Sequence, residues 1–305
     1  MKAASLFAGL GGFDLAMERL GLRSSLLAEI DPAARRVLAA QFPGVRQEGD
    51  ARAVDLRGFD LVTAGFPCQG LSPAAATREH EGLIDERSRS NVVWDVLERV
   101  RAAKVPLVLL ENSSALTTAR YASDMAALLQ RLLEYGYDAR VYVLNAGCYG
   151  TPMRRLRAFV LARLSPGRWP SVDAGVSWSC SDPTIGLSGQ QGGAVWCAQP
   201  SPTLKAAMYT IAVTPDDVRS LTPDAVEVLM GLTPGWTAAA GSNAQRYERL
   251  GNAVSVDAAE AALRILLTGE APTAITPRVA YPLDRTVRAR GGHVRVDGEA
   301  YPALA

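Results

Sequence analysis

FDLVTAGFPCQGLS, residues 59–72, is the stretch around which the chain is organised. Its first six residues are mostly apolar and partly β-branched, which predicts a buried strand of a parallel sheet, and Pro67 ends that strand because proline cannot donate to a ladder. Ligands of open α/β sheets bind beyond the carboxyl ends of the strands. Cys68 therefore stands where a reactive thiol is useful. We take it as a candidate nucleophile, whose thiolate needs nearby positive charge or hydrogen-bond donors.

The overall composition is that of a soluble globular protein. The chain has 305 residues, of which 48% are hydrophobic and 21% charged, with a net charge of +1. This length is enough for one large or two modest domains. The four cysteines form no CxxC pair and there are only two histidines, so we expect neither a metal site nor a histidine-driven triad. No run approaches the roughly 20 apolar residues of a membrane span, and we expect a cytoplasmic location.

The N-terminal segment has the order strand, glycine turn, helix. Ala3–Ala8 predicts the first strand, Gly9–Gly12 a tight turn, and Phe13–Leu20 an amphipathic helix. Such an arrangement cradles nucleotide-like ligands, although the turn lacks the lysine of a P-loop and the third glycine of the dinucleotide fingerprint. A second predicted strand ends at Glu29, where a sheet of this kind holds a ribose diol. A helix is predicted from Pro32 to Gln41.

Polar residues recur near the ends of later strands. A buried strand over 105–110 is predicted to end at Glu111-Asn112, so that Glu111 faces the same crevice as Cys68 in a parallel sheet. Arg155 and Arg157 are predicted to lie in one strand, share a face and need an anionic partner. Residues 70–90 are predicted to form a long functional loop of the lid type.

The second half of the chain changes character. Residues from about 164 to 200 predict a compact, loop-rich insert, and another element begins at Pro202. Thr222 opens a helix that has proline in its first turn, and an apolar helix is predicted over 256–267. The tail from Ala271 has no core pattern and is basic between Arg278 and Arg295.

Five motifs, in this order, resemble those of the cytosine-5 DNA methyltransferase family of bacteria and phages. They are the cofactor motif at 7–12, the nucleophile motif at 65–69, Glu111-Asn112, the paired arginines 155 and 157, and the closing motif at 249–254. The resemblance implies an α/β fold, with a Rossmann-like S-adenosylmethionine-dependent methyltransferase sheet and a small, loop-rich target-recognition domain. The implied domains are a catalytic and cofactor-binding domain (1–163), the target-recognition domain (164–245), a closing motif and helix that return to the catalytic domain (246–270), and a basic extension (271–305).

The same resemblance implies DNA (cytosine-5-)-methyltransferase activity, of the kind found in restriction-modification systems. The expected donor is S-adenosylmethionine, the product S-adenosylhomocysteine, and the substrate a flipped cytosine in double-stranded DNA. Cys68 is expected to add to C6 of the base, and Glu111 to engage N3 and the exocyclic amine. Arg155 and Arg157 are expected to hold O2 and the neighbouring phosphate and to help stabilise the thiolate.

Two sets of binding residues follow from the family pattern. The residues expected to line the donor pocket are Phe7, Gly9, Leu10, Gly11, Gly12, Glu29, Ile30, Asp50, Pro67, Asn252 and Val254. The residues expected to contact DNA are Gln69, Ser72, Arg154, Arg163 and Arg168. In the donor set, Glu29 is expected to bind the ribose and Asp50 the adenine amine, while Phe7 and Ile30 cover the two adenine faces. We expect no metal, no membrane and a monomer.

The chain departs from the family pattern at several positions. Met153 stands where the arginine motif usually opens with glutamine, Ser113 replaces a valine, and Ser90-Asn91 replaces threonine-leucine. The insert after the arginines is short, which favours relaxed or very short site specificity, or recognition completed by the basic segment 278–295.

Three other functions stay open on the sequence. A transfer RNA cytosine-5 methyltransferase of the same fold is disfavoured, because the Cys-Phe-Thr signature of that branch is missing after the arginines. A catalytically inactive, methyltransferase-like DNA-binding protein has no use for the thiol of Cys68. Transfer of a modified group from an altered donor is the third.

Overall fold

The structure is a computed structural model that divides into two compact units. It describes residues 1–68, 71, 82–151, 153, 155–172, 184–188, 194–197, 209–214, 217–274, 286–288, 293–296 and 299–302; from 184 to 220 and from 286 onward it describes the backbone alone. The first unit comprises Met1–Leu144, Leu156–Asp173 and Ala258–Pro272, and the second comprises Asn145–Arg155, Ala174–Asp257 and Thr273–Ala305.

The first unit is built on a seven-stranded sheet of order β3-β2-β1-β4-β5-β7-β6. Its strands are β1 (Ala3–Leu6), β2 (Ser24–Ala28), β3 (Arg46–Glu48), β4 (Leu61–Gly65), β5 (Leu107–Ser113), β6 (Asp138–Asn145) and β7 (Leu156–Arg163). Its first four helices are α1 (Gly12–Arg19), α2 (Pro32–Gln41), α3 (Val93–Ala103) and α4 (Ala122–Glu134). Neighbouring strands from β3 to β5 are parallel, whereas β7 runs antiparallel to β5.

The central strands are hydrophobic because both of their faces are buried. Leu6 of β1, Val62 of β4 and Leu110 of β5 expose at most 1% of their surface and lie in one hydrophobic core. Parallel strands that are covered on both faces consist of near-continuous apolar runs, which is the pattern that predicted them. The carboxyl ends of β1, β2, β4 and β5 therefore meet at one edge of this sheet, and we call it the carboxyl edge.

Local signals at the carboxyl edge explain where the first two helices begin. Gly11 takes a left-handed conformation (φ 79°), and a Cβ there would overlap the ring of Phe42, so glycine is required at this turn. The Asp31 carboxylate accepts hydrogen bonds from the backbone N–H groups of Ala33 and Ala34, both at 2.8 Å, and Pro32 occupies the first turn of α2. The predicted helix over 32–41 is confirmed.

The strand predicted over 105–110 is longer than its sequence pattern indicates. In the structure β5 continues to Ser113, because Glu111, Asn112 and Ser113 pair with Phe159, Ala158 and Arg157 of antiparallel β7. Glu111 and Asn112 are thus members of a strand and not of the loop behind it, and the sheet is mixed instead of wholly parallel.

The second unit contains a five-stranded sheet of order β12-β11-β10-β8-β9 and a two-stranded sheet, β13-β14. The strands are β8 (Thr184–Ser188), β9 (Ala194–Cys197), β10 (Tyr209–Thr214), β11 (Asp217–Leu221), β12 (Thr286–Arg288), β13 (His293–Val296) and β14 (Glu299–Pro302). Two helices, α5 (Pro223–Leu229) and α6 (Asn243–Asn252), follow β11, and α7 (Val256–Thr268) carries the chain back into the first unit.

The divisions between the units differ from the predicted domain boundaries. Residues 145–155, predicted within the catalytic domain, and residues 246–257, the first part of the segment predicted to return to it, belong to the second unit, whereas 258–270 belong to the first. Hydrogen bonds join 145–155 to the end of α6 and the residues behind it. The guanidinium of Arg155 donates to the carbonyl oxygens of Gly251, at 3.1 Å, and Ala253, and the hydroxyl of Thr151 contacts Ser255 and Asp257.

Several sequence predictions lie wholly or largely outside the described residues. They are the long loop at 70–90, of which 71 and 82–90 are described, much of the insert at 164–200, and the element predicted to begin at Pro202. No helix in the described part of the chain is long and apolar enough to span a membrane. Among the same residues, histidine, cysteine and acidic side chains nowhere form a group of three that could hold a metal ion.

Candidate active site

The chain that follows β4 carries Cys68 on an anchored backbone. The amide of Asn112 donates to the carbonyl of Phe66 at 3.0 Å, and the hydroxyl of Ser90 donates to the carbonyl of Pro67 at 2.6 Å. The carbonyl of Cys68 accepts from the N–H of Leu71 at 2.9 Å. Cys68 is half-buried and forms no disulfide. Its backbone is therefore positioned by two buried polar residues that come from elsewhere in the sequence.

Glu111 and Arg157 form an ion pair at the same edge of the sheet. Arg157 Nε lies 3.2 Å from Glu111 Oε1, and the two side chains expose only 16% and 11% of their surface. Glu111 lies opposite Gly65, the last residue of β4, and a Cβ on Gly65 would come within 3.4 Å of Glu111 Oε2. The carboxylate thus lies beside the backbone that leads, three residues later, to Cys68. Glu111 therefore lies at the end of β4, and its facing of Cys68 across one crevice stays a prediction.

Arg155 lies in a different environment from Arg157. It precedes β7, is 1% exposed, and its guanidinium donates to carbonyls at the end of α6 in the second unit. The prediction that the two arginines share a strand face is therefore wrong, because the strand begins at Leu156. Positive side chains at a helix C-terminus satisfy its free carbonyls, so this contact stabilises the closing motif.

The glycine turn between β1 and α1 leaves backbone accessible for a ligand. Phe7 is half-buried with a φ of 53°, an uncommon conformation for a residue other than glycine, and Gly9 has a φ of 57°. A Cβ on Gly9 would meet only the carbonyl of Phe7, at 3.9 Å, so open space lies beside this turn. Leu10 and Gly12 are buried and support the turn from below.

Glu29 ties the end of β2 to this turn. Its two carboxylate oxygens accept hydrogen bonds from the N–H groups of Gly9 and Asp31, each at 2.8 Å. Ile30, the next residue, leaves 71% of its surface exposed, and among the described residues only Leu133, at 72%, is a large hydrophobic residue exposed to this degree. A fixed carboxylate beside a bare apolar side chain suits a ligand with both a diol and an aromatic ring.

Asp50 is engaged by its own neighbour. Its carboxylate caps the short 3₁₀ turn Ala51–Ala53 through the N–H of Arg52 at 2.9 Å, and Arg52 Nη2 lies 2.7 Å from the second oxygen. These hydrogen bonds lower the pKa of Asp50 below its ordinary value. This pairing was not predicted, and an adenine amine would have to share the carboxylate with Arg52.

Comparison with known proteins assigns this geometry to a family. A family model described as C-5 cytosine-specific DNA methylase matches residues 1–181. The chain belongs to this family. The methylase is 31% identical over 287 residues to the type II methyltransferase M2.BsuMI of Bacillus subtilis, an alignment that covers 84% of this chain and 72% of that protein. It is 32% identical over 164 residues to the type II methyltransferase M.HhaI of Haemophilus parahaemolyticus, covering 53% of this chain and 48% of that one.

Solved structures show the same fold. A methyltransferase of Entamoeba histolytica, EhMeth, superposes with a TM-score of 0.65 and 16% identity, covering 88% of this chain and 98% of that one. The Dnmt2 methyltransferase of S. pombe superposes with the same TM-score at 15% identity, covering 88% of this chain and 99% of that one. The predictions of the family, of the Rossmann-like methyltransferase sheet and of the enzyme class, DNA (cytosine-5-)-methyltransferase, are confirmed.

The residues predicted to contact DNA are only partly described. Gln69, Ser72 and Arg154 lie outside the described residues. Arg163 pairs with Leu107 at the start of β5, whereas Arg157 pairs with Ser113 at its end, so the methylase holds these arginines about 20 Å apart along β7. Arg163 lies over the ring of Trp169, 3.8 Å from its centre, and donates to the carbonyl of Ile265 at 3.4 Å.

Arg168 lies at that same opposite edge. Its carbonyl is 2.9 Å from where a Cβ on Gly269 would stand, just beyond the end of α7. Burial lowers the pKa of Arg163, and the charge of Asp138 opposes this lowering only in part. Because both residues are remote from the carboxyl edge, we omit them from the proposed DNA contacts of the methylase.

The remaining predicted donor residues are in two places. Pro67 belongs to the anchored loop of the first unit, whereas Asn252 and Val254 belong to the second unit, at and just after the end of α6. Asn252 is exposed and Val254 half-buried. The functional residue that sequence reasoning missed is Ser90. The sequence clue to Ser90 was its position at the start of the helical pattern that follows the long loop. In the structure Ser90 is fully buried, and its hydroxyl donates to the carbonyl of Pro67 in the nucleophile loop.

Proposed function

We propose that the methylase transfers a methyl group from S-adenosylmethionine to C5 of a flipped cytosine in double-stranded DNA, through a covalent bond between Cys68 and C6. The observation that carries this proposal is the anchored loop of Cys68 beside the Glu111–Arg157 ion pair at the carboxyl edge. A nucleophile, a carboxylate and a guanidinium are the three groups that activation of cytosine requires.

The described donor residues fit S-adenosylmethionine. Ile30 offers an exposed apolar surface for the adenine, and the Glu29 carboxylate is held rigidly by two N–H groups while its remaining lone pairs can accept from a ribose diol. The open backbone of the Gly9 turn suits close approach of the methionine part. When bound, the donor supplies an electrophilic methyl group.

The chain's own residues then perform the activation of the base. The Cys68 thiolate forms a bond to C6, and the π electrons of the C5–C6 bond become available at C5 to bond the methyl carbon, while the methyl–sulfur bond breaks and S-adenosylhomocysteine leaves. Glu111 engages N3 and the exocyclic amine and favours protonation at N3 as negative charge develops on the ring, while Arg157 keeps Glu111 oriented. After C5 loses its proton to a base, the C5–C6 double bond reforms and Cys68 leaves as thiolate.

Covalent trapping tests this proposal directly. A pool of random duplexes containing 5-fluorocytosine blocks the final loss of a C5 proton, so the methylase should remain bonded to DNA in the presence of S-adenosylmethionine. We expect a DNA adduct on the peptide that contains Cys68. The Cys68→Ser variant should give no adduct while its binding of S-adenosylmethionine, measured by calorimetry, is retained.

Labelled S-adenosylmethionine with duplex DNA and with transfer RNA distinguishes the alternatives. Methyl groups on DNA cytosines, located by sequencing the product, support the proposal. Label in RNA alone would make the protein an RNA methyltransferase. Absence of label in both substrates, with S-adenosylmethionine bound, would indicate an inactive DNA-binding protein.

A further inference from the structure

The basic C-terminal segment contributes a strand to the sheet of the second unit. Between Arg278 and Arg295 the chain has five arginines and one acidic residue. Part of this segment forms β12, which lies at the end of the five-stranded sheet and pairs antiparallel with β11. A strand from the C-terminal segment thus completes a sheet formed by residues earlier in the chain, and it places Arg288 at the edge of that sheet.

The pairing of β12 with β11 sets two positive residues directly opposite each other. Arg288 of β12 pairs with Arg219 of β11, so the two residues occupy one face with their Cα atoms about 5 Å apart. Like charges in this position are destabilising. A charged residue such as Arg288 on an edge strand protects the sheet against edge-to-edge aggregation. This role does not explain Arg219, which faces it from the inner strand β11.

The described positions of β10, β11 and β12 are richer in positive than in negative residues. On the other side of Arg219 the sheet places Ala212 of β10, and Asp217 lies two residues away on the same strand. Within these three described strands, Asp217 is thus the one acidic residue beside two arginines. A phosphodiester, which carries one negative charge and accepts hydrogen bonds from planar guanidinium groups, supplies the missing anion.

We infer that Arg219 and Arg288 form a binding site for a DNA phosphate, which makes the C-terminal segment part of the DNA-binding surface of the second unit. This inference rests on the proposed function, since it takes duplex DNA as the ligand. Phosphate contacts fix the position and orientation of a protein on DNA and make affinity depend on salt. The pair therefore positions the duplex, while base contacts are made elsewhere.

Salt-dependent binding of the full chain to duplex DNA tests the site. Arg219→Gln and Arg288→Gln should each reduce the slope of log K against log salt by about one, and each should weaken binding about eightfold at about 0.1 M salt. The double variant should weaken binding about sixtyfold under the same conditions. Arg264→Gln, which removes the same charge from α7 in the first unit, is the matched control and should leave the slope unchanged.

Thermal stability separates this site from a structural role. Because each substitution removes one of two like charges at facing strand positions, the Tm of both variants should be equal to or higher than that of the unmodified protein. A lower Tm, or a slope equal to that of the Arg264→Gln control, would overturn the inference. An Arg219→Cys and Arg288→Cys double variant should form a disulfide that peptide mass mapping detects, and its absence after oxidation would refute the pairing itself.

Covalent trapping on 5-fluorocytosine DNA keeps the two proposals distinguishable. If the unmodified protein forms no adduct, the proposed function fails whatever the arginine variants do. If adducts form at saturating DNA in every variant while affinity and slope stay unchanged, the methyltransferase assignment stands and the phosphate site alone is refuted.

Discussion

Replacing Asp14 by asparagine should stabilise the methylase above neutral pH. Asp14 is fully buried in the first turn of α1, where it accepts a hydrogen bond from the hydroxyl of Ser24. Its second oxygen, like the hydroxyls of Ser5 and Thr63, which face each other across β1 and β4, has no hydrogen-bond partner among the described residues. The amide of asparagine can donate to these hydroxyl oxygens without carrying charge.

The size of the effect follows from the cost of the buried charge. Burial raises the pKa of Asp14 from 3.8 to about 6, against a smaller lowering by the hydrogen bond from the Ser24 hydroxyl. The destabilisation is absent below the ordinary pKa, grows as the pH rises, and is complete above the folded value. The destabilisation by the buried charge amounts to about 3 kcal/mol at pH 8 and about 1.5 kcal/mol at pH 5. The gain on replacing Asp14 is smaller than this by up to about 1 kcal/mol, because the attraction between the carboxylate and the helix N-terminus is lost.

Urea unfolding at about pH 5 and about pH 8 measures this difference. The gain in unfolding free energy for Asp14→Asn should be about 1.5 kcal/mol larger at the higher pH, a difference that any pH-independent effect of the substitution leaves intact. Glu18→Gln, on the exposed side of the same helix, is the control and should shift stability little at either pH. An equal gain for Asp14→Asn at both pH values would refute the argument, as would a loss that grows with pH.

Three further predictions concern the site. Ser90→Ala removes the hydroxyl that holds the Pro67 carbonyl, so we expect the rate of adduct formation by Cys68 to fall more than about tenfold in rapid-quench assays, with a stability loss of only about 1 kcal/mol. Glu111→Gln should lower single-turnover methyl transfer by about 10² to 10⁴ while affinity for S-adenosylmethionine, measured by calorimetry, is retained. Arg155→Lys cannot reach both carbonyls at the end of α6, so Tm should fall; an unchanged Tm together with lost activity would instead indicate direct contact with the substrate.

The elements that could be predicted from the sequence carry local signals. The turn at Gly9–Gly12 requires glycine for its left-handed backbone, α2 begins with Asp31 as cap and Pro32 behind it, and β4 is a buried apolar run ended by Pro67. Each signal lies within a few residues of the element that it defines, so no knowledge of distant pairing is needed.

The errors concern pairing between distant segments. The sequence pattern did not reveal that β7 is antiparallel to β5, yet this direction extends β5 through Glu111 and sends Arg163 to the edge opposite Cys68. Nor could the two-residue spacing of Arg155 and Arg157 show that the strand begins between them and that Arg155 donates to carbonyls almost one hundred residues later in the chain. The chemistry of each candidate residue could be inferred from its type, whereas the direction of β7 and the hydrogen-bond partners of Arg155 required the tertiary structure.

The hydrogen bonds of Arg155 also bear on how specificity can be exchanged between methylases. A recombinant that takes residues 174–257 from a relative would receive the carbonyls of Gly251 and Ala253 from one parent and the guanidinium of Arg155 from the other. The second unit includes both partners and also the C-terminal segment that carries β12, so the module to exchange is the discontinuous set 145–155, 174–257 and 273–305. Shuffling experiments that cut only at 174 and 257 should yield chimeras that accumulate poorly, and coselection of the other two segments should restore them.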